Sequence, residues 1–251
     1  MSGPVALVGA GAFLASMADF DLGLLAATGR RRPRVVILPT AVFPAGEEAF
    51  QRISSMGRDH FRALGAEVEA VEVRDRVGAD DEANAQAVGE ADLVYLCGGD
   101  ASYLRSTLRD TAVWAAAQAA NRRGAVLVGC AAGAMAFGER QLDMGVVRAG
   151  WPIRWLQGLA AAGGVAILPL YDTRPEPVMA LLAMSAPRGM PVLGIDSEAA
   201  VIWRAGSWEV HGRARVTVWR GRHRERHRRG DAFGLSDVTG GPPGDPDPAD
   251  E

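Results

Sequence analysis

Residues 124–134 read Gly-Ala-Val-Leu-Val-Gly-Cys-Ala-Ala-Gly-Ala, a short apolar strand running into small residues. This is the setting of a nucleophile elbow, where glycines flank a strained strand-to-helix turn and one side chain is thrust out above a sheet. A serine or cysteine at that tip attacks a carbonyl once a neighbouring base takes its proton. The tip position in this chain is Ala131. A methyl group carries no lone pair, so the frame of a hydrolase stands without its reacting atom.

Other groups fill the gap poorly. Cys130 adjoins the tip, but only the central residue of such a turn points into the site, while its neighbours pack against sheet and helix. Cys130 and Cys97 are the two cysteines, and both read as small buried strand-end residues. A disulfide between them would need two neighbouring strand ends. His60 falls in a helix, and His211, His223 and His227 fall in a C-terminal meander or its basic run, so each reads as a solvated surface histidine. No His, Cys, Asp or Glu pair has metal-ligand spacing, and neither a metal nor a cofactor is expected. Gly9-Ala10-Gly11 could open a dinucleotide fingerprint, but Leu14 stands at its third glycine position and the second strand ends in Pro39-Thr40 rather than an acid. The basic run from Arg220 to Arg229 lacks interleaved aromatics, which reads as a surface hairpin rather than a nucleic-acid site.

The elements that must position the elbow alternate along the chain. Apolar strands are expected at Val5–Gly9, Arg34–Thr40, Asp92–Cys97 and the elbow, with a half-exposed strand at Glu67–Val73. Helices are expected at Phe13–Thr28, Gly46–Leu64 (inner stripe Phe50, Ile53, Phe61, Leu64), Asp80–Gly89 and Tyr103–Arg122. After the elbow come a short helix Ala132–Gln141, a loop with Trp151, Pro152 and Trp155, a strand Val165–Leu170 and a helix near Glu176–Met184. Val192–Ile195, Ala200–Arg204, Trp208–Val210 and Ala214–Trp219 read as a strand and a small antiparallel meander. Alternation of this kind implies an α/β fold with a mostly parallel, doubly wound sheet and a ligand site at the carboxyl ends of its strands. Those ends carry Gly9-Ala10-Gly11, Gly98-Gly99-Asp100 and the elbow.

The chain has 251 residues, 48% of them hydrophobic, which suits one sizeable α/β domain over residues 1–236. Residues 237–251 hold five acids, four prolines and no base, the composition of a disordered tail. A net charge of −3 gives no bias toward nucleic acid or membrane. No apolar run approaches the ~20 residues of a membrane span, and no basic leader precedes the first apolar segment. A cytoplasmic protein is the expectation; oligomeric state is left open.

Four blocks, GGD at 98–100, GCAAGAMAFGE at 129–139, GLAAAGGVAILPLYD at 158–172 and LGIDSEAAVIW at 193–203, resemble in order and spacing the peptidase E/cyanophycinase family of serine peptidases. The resemblance covers roughly residues 3–220 and implies a flavodoxin-like, class I glutamine amidotransferase-like fold. It also implies a serine at the elbow and a histidine on a later strand end. The family's elbow reads G-x-S-A-G-A and its histidine block L-P-H-[FY]-D. Ala131 therefore stands at the serine position, and Leu170, within Leu168-Pro169-Leu170-Tyr171-Asp172, at the histidine position. By the same resemblance Gly98, Gly99 and Asp100 form the loop supplying one oxyanion-hole amide, and Ala132 supplies the other. Alternatively the glycines serve only their tight turns. Glu139, Asp196 and Glu198 are the acids near these blocks, and none is singled out as the third triad member.

Losing one member of such a triad lowers kcat roughly ten-thousand-fold or more, because the members act as a unit. With two members replaced, the expectation is a non-catalytic homologue that binds a peptide or a small acidic ligand without cleaving it. The alternatives are an active hydrolase or amidotransferase-like enzyme with a non-standard nucleophile, and a structural or partner-binding protein.

Overall fold

A computed structural model describes residues 2–144, 153–204 and 206–235. Five parallel strands form the heart of the first sheet: β1 (Val5–Val8), β2 (Arg34–Leu38), β3 (Glu67–Ala70), β4 (Leu93–Leu96) and β5 (Val126–Cys130). Antiparallel strands β10 (Ala199–Arg204), β11 (Ser207–Gly212) and β14 (Ala232–Phe233) extend one edge, giving the order β14-β11-β10-β1-β5-β4-β2-β3. The half-exposed Glu67–Ala70 strand is the opposite edge, as its alternation of apolar and acidic residues requires.

Strand periodicity sorts the side chains of this sheet into two cores. Leu7, Val36, Leu38, Val94, Leu96 and Leu127 face one side, while Ala6, Val8, Val35, Ile37, Tyr95 and Val128 face the other. The second side is covered by α1 (Ala18–Ala27) and α2 (Glu47–Ala63), through residues such as Phe20, Leu24 and Phe61. The first is covered by α4 (Glu82–Gly89), α5 (Ala101–Leu108) and α6 (Ala112–Arg122), through Val88, Leu104, Leu108 and Trp114, with the single turn α3 (Arg76–Ala79) beside them. Each fully buried side chain of this size contributes about 1.5–3 kcal/mol, so neither helix layer is dispensable. This is the doubly wound arrangement expected of alternating strands and helices.

The segment Tyr103–Arg122, expected as one helix, is two. Asp110 takes a φ of 58°, and Thr111 is extended and caps α6 by accepting a hydrogen bond from the Trp114 N–H. The Arg76 guanidinium secures the break by donating to the carbonyls of Ser106, Arg109 and Asp110. The stretch expected as a helix over Ala132–Gln141 also divides. Helix α7 (Ala132–Phe137) stops at Gly138, and β6 (Gly138–Leu142) begins a second sheet. A Cβ at Gly138 would lie 2.7 Å from the Arg140 carbonyl oxygen, so this turn from helix to strand needs glycine.

The second sheet has the order β13-β12-β9-β8-β6-β7. It comprises β7 (Trp155–Gln157), β8 (Ala162–Pro169), β9 (Val192–Ile195), β12 (Val216–Arg220) and β13 (His223–His227) around β6, with β6, β8 and β9 mutually parallel. Helix α8 (Glu176–Met184) connects β8 to β9. The C-terminal meander is thus shared: β10 and β11 finish the first sheet, and β12 and β13 the second. Trp151, Pro152 and the acidic segment 237–251 lie outside the described residues.

Candidate functional site

The elbow is built from backbone. Ala131 has φ 48° and ψ −107°, a conformation L-residues rarely adopt. Its N–H donates to the Val8 carbonyl and its carbonyl accepts from Met135 N–H, each at 2.9 Å, which pins the tip from both sides. A Cβ on Gly129 would come within 2.6 Å of the Gly133 carbonyl oxygen, and one on Gly133 within 2.4 Å of the Leu96 carbonyl oxygen. Both glycines are there because strand, turn and helix pass within backbone contact. On the neighbouring strand end Gly98 backs directly onto the Ala131 methyl, and Gly99, at φ 145°, leaves no room for a side chain beside the Ala41 carbonyl.

Leu170 closes β8 in a left-handed conformation, φ 54° and ψ 39°, and is 38% exposed. Its surroundings are firmly held. Thr173 Oγ1 donates to the Leu170 carbonyl at 2.7 Å, and the Asp172 carboxylate accepts from both the N–H and the hydroxyl of Ser197. The next residue, Tyr171, is buried over Gly194, and its hydroxyl accepts from Trp219 Nε1 at 3.0 Å.

Ala131 and Leu170 line one cavity of about 270 Å³ where the carboxyl ends of the two sheets meet. The first sheet contributes Gly99, Ala101, Ala131, Ala132 and Met135; the second contributes Leu142, Leu168, Pro169 and Leu170, with Thr173, Arg174, Met179 and Leu182 beyond them. Of the residues singled out in the sequence, Gly99, Ala131, Ala132 and Leu170 come together here. Gly98 lies behind the lining. The Asp100 carboxylate caps α5 by accepting from the Tyr103 N–H at 2.9 Å. Among the described residues, neither the Gly99 nor the Ala132 N–H donates to a backbone carbonyl.

None of the three candidate acids reaches the lining. Glu139 accepts from the Gly164 N–H, and Asp196 accepts from the N–H and Nε of Arg215. Burial pushes the Asp196 carboxyl above the usual carboxylate range despite those bonds. Glu198 sits at φ 57° in the turn before β10. Cys130 and Cys97 are free and buried with Tyr95 and Phe13 in the core on the other side of the sheet from Met135 and Leu168. Loss of solvent pushes the Cys130 thiol up to about 12, far from a nucleophilic thiolate.

The histidines correct the sequence expectation. His60 is not solvated: its Nε2 lies 2.8 Å from the buried Asp21 carboxylate, and its ring meets Phe13 and Phe61. Asp21 points inward from α1 because this short helix is buried at Phe20, Asp21, Leu24 and Leu25, and burial raises its carboxyl above the ordinary value. His227 stacks on Phe233 and is largely covered, His211 packs one face on Phe20 and stays about 36% exposed, and His223 is solvated. None of the four lines the cavity. Among the described residues no group of three or more His, Cys, Asp or Glu is arranged to hold a metal ion, and no helix is long and apolar enough to cross a membrane. The basic run forms the β12–β13 hairpin, with Arg224 and Arg226 paired to Glu176 and Arg220 to Glu225.

Among the described lining residues outside the motif blocks, Arg174 is the charged one. It follows the Leu170 block on a stretch whose composition resembles any surface turn.

Comparison with known proteins agrees with this geometry. No curated protein matches the chain. A crystal structure of a peptidase from an acI-B1 Actinobacterium superposes with a TM-score of 0.84 at 26% identity, covering 93% of this chain and 97% of the other. A protein assigned to peptidase E from Listeria monocytogenes EGD-e superposes with a TM-score of 0.62 at 14% identity, over 85% of this chain and all of the other, a likeness of fold. The model of Peptidase family S51 matches residues 7–210, the span that runs from β1 through the elbow and β8 to β11. With that model matched over most of its length, the chain belongs to peptidase family S51.

Proposed function

We propose that this chain is a non-catalytic member of the family, one that binds a peptide or carboxylate ligand in the seam cavity without hydrolysing it. The observation that carries this is Ala131 at a strained elbow tip, facing a cavity whose other key wall is Leu170. Neither side chain can attack a carbonyl or move a proton. Among the described lining residues the one hydroxyl side chain, Thr173, is committed to the Leu170 carbonyl. The N–H groups of Gly99 and Ala132, which donate to no backbone carbonyl among the described residues, support the binding half of the proposal, since backbone donors stabilise a carbonyl or carboxylate oxygen whatever the side chains are.

Turnover of aspartyl dipeptides and labelling by a serine-directed phosphonate test it. The expected result is neither reaction with the wild-type chain. Steady hydrolysis that survives Cys130→Ala would overturn the proposal and establish the alternative of an active hydrolase with a non-standard nucleophile.

A further inference from the structure

The cavity wall is more apolar than a site for a peptide's acidic residue needs to be. Met135, Leu142, Leu168, Met179 and Leu182 are each less than 10% exposed and together make its interior. A carboxylate pressed among such side chains would lose its hydration with nothing to replace it, which costs several kcal/mol per charge. Among the described lining residues the one charged side chain is Arg174, which is exposed, and no Asp or Glu accompanies it. Arg174 makes no ion pair or hydrogen bond with any described residue. The described lining therefore offers one cation, the two amides of Gly99 and Ala132 and the Thr173 hydroxyl that is bonded to the Leu170 carbonyl, with hydrocarbon and thioether side chains making the interior.

We propose that the cavity takes a monocarboxylate with an apolar acyl body, the chain lying among the methionines and leucines and the head group taking the available donors. This rests on the reading of the cavity as a binding site. Size agrees: about 270 Å³ falls just below the ~300–1,000 Å³ of drug-sized sites and corresponds to about nine groups of ~30 Å³. An acyl chain of medium length fills that space, whereas a free amino acid with two carboxylates leaves one charge against Leu142 or Met179. Leu170 itself supports this choice, because its side chain adds apolar surface where a histidine would have placed a polar ring.

Titration calorimetry of the full chain with octanoate, 1-octanol and L-aspartate tests the proposal. Octanoate is expected to bind, and L-aspartate to bind at least about tenfold more weakly, the cost of one unmatched charge. Arg174→Gln is expected to weaken octanoate about tenfold while leaving 1-octanol unchanged, as for loss of one charged hydrogen bond. Met179→Glu should abolish octanoate binding. Should that variant fail to fold, Leu170→Asp at the exposed lip gives the same readout. Equal affinity for L-aspartate and octanoate, indifference to these variants, or no octanoate binding would each overturn the proposal. The two proposals fail separately. Absent octanoate binding with absent dipeptide turnover removes only the acyl ligand; dipeptide turnover inhibited by octanoate removes only the non-catalytic reading.

Discussion

Ala131 and Leu170 end strands of two different sheets, both hold a positive φ, and both line the same cavity. Non-glycine residues at such angles cost roughly 1–3 kcal/mol each, and these two carry that strain without the reacting groups it would serve. Two side chains that cannot titrate thus stand on positive-φ backbone on either side of one cavity.

Replacing Ala131 with glycine removes the steric penalty at φ 48°. Part of the gain is offset by the greater freedom of glycine in the unfolded chain. The expected net effect is a stabilisation of about 1 kcal/mol, read as a higher urea midpoint with an unchanged slope. A lower midpoint would show that the turn does not strain alanine.

Gly133→Ala tests the opposite property. Its new methyl would meet the Leu96 carbonyl at 2.4 Å, a backbone contact that no side-chain rotation relieves. A loss of about 2–4 kcal/mol is expected, at the upper end of overpacking effects. A near-wild-type midpoint in urea would mean the elbow is not held by close packing.

Much of this was legible in the residues. Residues 35–38, Leu93–Leu96 and Val126–Cys130 are continuous apolar runs, and such runs form central parallel strands. The elbow was legible because backbone crowding dictates its glycines at fixed spacing. The second sheet was legible only in part: Val165–Leu170, Val192–Ile195 and Ala214–Trp219 read as strands, but the strand that starts the sheet did not. Gly138–Leu142 is a short strand of mixed polarity that continues directly from a helix, so no turn residue cluster announces it. The Arg109–Thr111 break was hidden because three carbonyls bonded by the distant Arg76 help hold it. The His60–Asp21 pair joins residues far apart in the chain, and periodicity within either helix shows only half of it. Arg174 shares the last obscurity, since a lone arginine gains meaning only from the cavity beside it.

The cysteines give a third check. Cys97 and Cys130 should resist a thiol-directed reagent such as iodoacetamide in the folded protein, since burial pushes both thiols up, Cys130 to about 12. In urea both should label at the rate of free cysteine. Rapid labelling of Cys130 in the folded protein would place its sulfur at an accessible site rather than beneath the sheet.

A fourth prediction concerns acid. Partial burial against Phe20 lowers the His211 pKa below its ordinary 6.5, so the folded protein favours the neutral ring more than the unfolded chain does. The stability this gives is complete above about pH 6.5 and is lost as pH falls through the lowered value. Between about pH 7 and pH 5, wild-type protein should therefore lose more stability than His211→Gln. Parallel urea midpoints for the two proteins across that range would exclude the effect.

The seam between the sheets also separates what can change from what cannot. On the side of the first sheet, the wall at Ala131 is shaped by main-chain contacts of Gly99, Gly129 and Gly133, where almost any side chain would collide. On the side of the second sheet, the wall is a matter of which side chains β6, β8 and α8 present. A fold built this way can alter what its cleft accepts by rewriting one bank while the other stays cast.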